Sequence, residues 1–262
     1  MDKIKINTAE EFPTLTSAPV AEAVIDIRAF PSKAWEESVV SVFLEEKLEG
    51  YAFLDSHREI HHEVKSEGEK LPELSVSDLG WRGIRFQSAD SKNIAQFNRD
   101  GFVFSRLDPY NNWLSFFKAG KSLWYVFKDI AAPVTIDRIG LRFINRIELS
   151  HGELNIERYL KNAPVAPVNL DLPFLGFMHQ ETLGVPGYPY AINLIRTIQP
   201  PQNPADNGIA IILDIDVFTL QPIAHPIEND DDMLDNALNE MRWLKDKTFF
   251  GSITDEGLEV FK

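Results

Sequence analysis

The chain contains no cysteine, which excludes disulfide bonds, thiolate metal ligands and cysteine nucleophiles. No apolar run reaches the roughly 18–20 residues that cross a bilayer as a helix. The opening Met1-Asp2-Lys3-Ile4-Lys5-Ile6-Asn7 is mixed and polar and lacks the apolar centre of a secretion signal. A cytoplasmic location with no membrane partner is the expectation. Basic residues are in deficit, with 26 Lys+Arg against 40 Asp+Glu and a formal net charge of −14. Phosphate backbones repel such a chain unless its cations gather on one face, so nucleic acid is disfavoured as a partner. Neither Gly-x-x-x-x-Gly-Lys-Ser/Thr nor Gly-x-Gly-x-x-Gly occurs, and the 14 glycines are dispersed. The Gly-x-Ser-x-Gly elbow is missing too, and Ser56-His57 and Ser150-His151 are mere sequence neighbours. These absences leave no catalytic residue and no cofactor to expect.

Aromatic side chains, by contrast, are abundant. The 18 Phe, 5 Trp and 6 Tyr among 262 residues supply a large core, so disorder is excluded and neither metal nor disulfide is needed to fold. Ala21, Ala23, Ile25 and Ile27 alternate with Glu22, Asp26 and Arg28, the period of a half-buried strand. Ser32 reads as a cap for a helix carrying Trp35, Val39, Val42 and Phe43 and stopping at Gly50. Strands are expected over 51–64, 81–87, 93–98 and 102–106, with 66–79 as a loop and Asn98-Arg99-Asp100-Gly101 as a hairpin turn. A helix over 110–127 follows, in which Gly120 is the weakest position.

From Val134 the order repeats in outline: a long strand that starts after Pro133 and carries Ile139 to Leu149, a short helix over 153–160, strands over 177–185, 190–199 and 209–217, and a final helix from Asp230. Leu234, Leu238 and Met241 form one stripe of that helix, with Lys245 continuing it. The fold class expected is therefore α+β, a mostly antiparallel sheet built from two pseudo-repeated strand–helix–strands–helix halves. Residues 1–18 are an N-terminal arm, 19–132 the first half and 133–262 the second, forming one unit. The order resembles the half-unit of the TATA-box-binding-protein-like fold, and a likeness of fold transfers no function.

The most pointed side chains are Arg138, Arg142 and Arg146, spaced four apart on one face of a strand. They could anchor an anion by bidentate contacts, or pair with Asp214 and Asp216 on the polar side of the 209–217 strand. Asn145 falls on the opposite face among Leu141, Phe143 and Ile147, where a buried amide must find hydrogen-bond partners. His57, His61 and Glu63 are the residues with metal-ligand character, but Arg58 stands where a zinc-protease motif requires Glu. The acidic run 228–232 suits the positive end of a helix dipole better than a cation.

Three segments together resemble a sporadically distributed, uncharacterised bacterial protein family: Ala18-Pro19-Val20-Ala21-Glu22-Ala23-Val24-Ile25-Asp26-Ile27-Arg28, Arg138-Ile139-Gly140-Leu141-Arg142-Phe143-Ile144-Asn145-Arg146 and Phe249-Phe250-Gly251-Ser252-Ile253-Thr254-Asp255. The resemblance implies a bacterial protein of similar size and supplies no activity. Its scattered occurrence suggests horizontally transferred cargo such as toxin–antitoxin or antiviral-defence genes. The leading expectation is a non-enzymatic acidic interaction protein, antitoxin-like or a phage-defence accessory subunit, that binds a protein partner. The alternative is a sensor or unusual enzyme for a small anionic nucleotide or metabolite, with the arginines lining its pocket.

Overall fold

A computed structural model describes residues 4–33, 35–65, 73–149, 155–165, 167, 169, 176–203, 208–222 and 230–262. Among the described residues, nine segments, most of them with alternating apolar positions, form nine strands, and all join one antiparallel sheet. The strands are β1 (Val20–Arg28), β2 (Tyr51–Lys65), β3 (Glu73–Ser88), β4 (Asn93–Asn98), β5 (Gly101–Leu107), β6 (Arg138–Leu149), β7 (Met178–Gly184), β8 (Tyr190–Gln199) and β9 (Ile209–Thr219). The helices are α1 (Glu37–Lys47), α2 (Trp113–Ala131), α3 (Asp230–Ser252) and α4 (Asp255–Glu259). The sheet order is β2-β3-β4-β5-β1-β6-β9-β8-β7, with β1 and β6 antiparallel at the centre. Outward from that centre, β1 is followed by β5, β4, β3 and β2, and β6 by β9, β8 and β7. The chain is thus α+β with a large antiparallel sheet, as its patterning predicts.

One sheet face is apolar and covered. Ile25 and Ile27 of β1, Phe102 and Phe104 of β5, Leu141 and Phe143 of β6 and Leu213 and Ile215 of β9 are all fully buried. α2 lies on β5, and α3 lies on β6 and β9. Phe86, Phe97, Phe102 and Trp124 touch in sequence at ring separations of 5.4–6.5 Å in tilted or edge-on geometry, joining the β2 side of the sheet to α2. Such pairs each add about 0.5–1.5 kcal/mol beyond their buried area.

Several local expectations change. Ser32 caps no helix; its backbone N–H bonds Ala131, and α1 begins later, after Glu36, without a side-chain cap. Trp35 instead lies against Trp81 and Phe127. The expected loop 66–79 is in part strand, because Glu73–Leu79 belongs to β3, while 66–72 lie outside the described residues. Of the helix expected over 153–160 there is a 3-10 turn at Ile156–Arg158, with 153 and 154 outside the described residues. α2 runs through Gly120 because a Cβ there would sit 2.9 Å from Ile25 Cδ1 and 3.0 Å from Phe104 Cδ1; glycine lets the helix approach the sheet closely. The hairpin at Arg99-Asp100 occurs as expected. Gly101 has φ +146, and a Cβ there would stand 2.2 Å from the Ile27 carbonyl oxygen, so glycine alone fits.

Candidate functional site

The arginine stripe lies on the sheet face opposite the helices, as a ladder of ion pairs. Arg138 donates to Asp26 at 2.8 Å and to Asp216 at 3.2 Å, and its guanidinium lies 5.0 Å from the centre of the Phe218 ring. Arg142 clasps Asp214 with two bonds of 2.8 and 2.5 Å. Arg146 donates to Glu148, Gln199 and the Pro200 carbonyl at 2.6, 3.2 and 2.6 Å. Sheet register explains the pairing, since Arg142 faces Asp216 directly and Asp214 one step diagonally across β6 and β9. Burial pushes the carboxyl groups of Asp26 and Asp216 up, against the pull of Arg138. The stripe carries no net positive charge with which to attract an anion, because each guanidinium already faces a carboxylate.

The histidine cluster lies on β2. His57 is 3.2 Å from Asp55 through Nε2, His61 is exposed, and the Glu63 side chain lies outside the described ones. Among the described residues no group of three or more His, Cys, Asp or Glu side chains is placed to hold a metal ion. Ser150, His151 and Glu228 lie outside the described residues. A surface groove of about 420 Å³ at the ends of β5 and β6 is lined by Lys92, Arg146, Asp108 and Glu148, so its charges balance.

A different cavity, of about 200 Å³, lies between the N-terminal arm, the loop entering α2, β6 and the last turns of α3. The arm crosses α3 as a strap. Glu10 accepts hydrogen bonds from Trp243 Nε1 at 2.7 Å and Lys247 at 2.6 Å, and the Phe12 ring stacks on Phe250 at 5.5 Å. Those two donors hold the Glu10 carboxyl below the ordinary carboxylate range. Phe12 to Leu15 then roof the cavity, and Trp113 and Phe249 help wall it.

Polar groups converge inside this cavity. Lys245 pairs with Asp246, and its Nζ lies 4.1 Å from the centre of the Phe143 ring. Asp246 is also approached by Arg242, at 3.5 Å. Burial drives the Lys245 ammonium below its ordinary range, Asp246 opposes this, and the Arg242 charge adds to it. Asn145, 2% exposed, donates Nδ2 to the Leu213 carbonyl at 2.9 Å. Tyr110 packs edge-on against Phe143 at 5.3 Å, and its hydroxyl is pushed well above the ordinary phenol range by burial first and the Asp246 charge second. The first turn of α2 also borders the space: Asn112 accepts from Ser115 N–H at 2.9 Å, and Trp113 lines the wall. Two cations, one carboxylate and a helix N-terminus leave the cavity net positive within an acidic protein.

Of the candidate site residues named from the sequence, Asn145 lines this cavity, whereas Arg138, Arg142, Arg146, Asp214 and Asp216 are not among its lining residues. Lys245 had a signal, a lysine continuing the apolar stripe Leu234, Leu238, Met241. Tyr110, Arg242 and Asp246 had none, since long-range packing brings them together. No protein-family model, curated protein or solved structure matches this chain.

Proposed function

We propose that the chain is a non-enzymatic binding protein that takes a small anion into the cavity beneath the N-terminal strap. The observation that carries this reading is the pair Arg242 and Lys245 sharing the single carboxylate Asp246 at an aromatic-walled cavity. A pocket with few convergent polar groups and a perturbed titratable residue has the general character of a ligand site. The anion-sensor expectation thereby moves from the arginine stripe to α3. The three segments that resemble the bacterial family support the same place, because Pro19 and Val20, Asn145, and Phe249 and Phe250 all line it. The matching outward strand orders of the two halves also favour a duplicated, TATA-box-binding-protein-like unit, with the cavity near the junction where β1 meets β6.

The test is thermal melting of the full chain with a panel of carboxylates, sulfonates and phosphates, on the parent and on Lys245→Met. An anion at about a hundred times its Kd stabilises by about 2.7 kcal/mol, or about 5–10 °C for a chain of this size. The shift is expected to vanish in Lys245→Met, which keeps the apolar stem. A panel that moves neither protein refutes the reading.

A second reading, a protein partner, is favoured by one feature. β3 meets β4 only over Gly83–Gln87, so Arg58–Lys65 of β2 and the facing part of β3 form a two-stranded ribbon beyond the rest of the sheet. Register places Ile60, Val64 and Val76 on one face, and they are 55%, 63% and 57% exposed. Such a face on an acidic chain suits a partner that is basic and apolar, as an antitoxin-like or defence accessory subunit requires. Purification from the native host is expected to recover a stoichiometric partner with the parent and to lose it with Val76→Asp; a chain recovered alone in both cases removes this reading.

A further inference from the structure

We infer that the ligand of the strap cavity is a monocarboxylate with a compact aromatic or branched apolar body. The inference rests on the anion reading above and narrows it. Charge sets the first limit. Arg242 and Lys245 contribute two positive charges and Asp246 one negative, so a single unit of positive charge is left for a ligand. A monoanion matches it. A phosphate dianion brings a second charge into a space where Lys245 is only 13% exposed, and that charge finds no counterion there.

The walls set the second limit. Phe12, Trp113, Phe249 and Phe250 present rings, and the roof adds Leu15. These surfaces give no hydrogen bonds to the several hydrated oxygens of phosphate or sulfate, but they do bury a ring or a branched chain. The volume, about 200 Å³, accommodates such a body. Orientation follows. The carboxylate turns toward Lys245, Arg242 and the first turn of α2, and the apolar end lies under Phe12. Asn145 and Tyr110, which also line the space, offer polar atoms to a hydroxyl or amide substituent.

The experiment is melting of the full chain with benzoate, isovalerate, benzamide, acetate and inorganic phosphate at equal ionic strength, on the parent and on Lys245→Met. Benzoate or isovalerate at about ten times its half-saturating concentration is expected to raise the parent's melting temperature by about 3–6 °C. Benzamide, which lacks the charge, acetate, which lacks the body, and phosphate are expected to give less than about a quarter of that shift, and Lys245→Met is expected to give none. A phosphate shift that exceeds benzoate's and disappears in Lys245→Met overturns this inference while leaving an anion site. An acetate shift equal to benzoate's does the same. Benzamide equal to benzoate, a shift retained in Lys245→Met, or no shift with any probe overturns the inference and the anion reading together.

Discussion

Arg138→Met is expected to destabilise the chain by about 2–4 kcal/mol at neutral pH, with much of the loss recovered in acid. Arg138 bridges Asp26 and Asp216, whose side chains are 28% and 21% exposed. Methionine keeps the stem over Phe218 but leaves both carboxylates without their shared cation. Removing one partner of a largely buried pair exposes the desolvation cost that the pair had offset. The pH dependence follows from the direction of the two shifts. Both carboxyl groups already lie above their ordinary value of 3.8, chiefly through burial, and loss of Arg138 raises them further. A carboxyl raised in the folded state binds its proton there before the unfolded chain does. Its stabilising contribution is therefore complete below 3.8 and is lost as pH rises through the folded value. The gap between variant and parent should narrow as pH falls toward that range. Urea unfolding of both proteins across that interval measures it. A gap that is absent at neutral pH, or that widens on acidification, contradicts the ladder as described.

Phe143→Ala is expected to cost about 3–5 kcal/mol, the range for deleting a fully buried aromatic ring. Phe143 is 0% exposed on β6 and meets Tyr110 and Phe116 edge-on at 5.3 and 5.9 Å. It also supports a lining residue of the cavity, because Lys245 Nζ lies 4.1 Å from its ring centre. The alanine variant loses the packing and the ring face on which the ammonium rests, a contact worth about 0.5–2 kcal/mol. Chemical unfolding should show the loss, and stabilisation by benzoate should fall with it. A cost under about 1 kcal/mol would mean that neighbouring rings close the gap or that Phe143 is not the keystone between sheet and α3.

The ladder and the cavity lie on opposite faces of the same strand, and β6 shows how much of each is legible in the residues. Alternation along Arg138–Leu149 separates the charged residues from the apolar ones, and it suffices to place Asn145 on the covered face. The same alternation marks Asp214 and Asp216 as natural partners. It does not choose between them, nor add Asp26, because register between β6 and its two neighbours depends on packing along the whole sheet. Ser32 fails as a cap for a similar reason: its backbone N–H bonds Ala131, nearly a hundred residues away, which ties this segment to the end of α2, and α1 starts only after Glu36.

Composition and periodicity by themselves determined the cysteine-free chemistry, the acidic balance, the α+β class and most strands and helices, because those depend on residue type and on spacing within a few residues. Tertiary structure alone decided where positive charge remains unspent. The arginines that looked available meet carboxylates across the sheet, whereas Lys245, which looked like one more position on a helix stripe, is largely buried beside Asp246, the acid that Arg242 also approaches. Net local charge depends on neighbours distant in sequence, and those become neighbours only when strap, sheet and α3 close on one another.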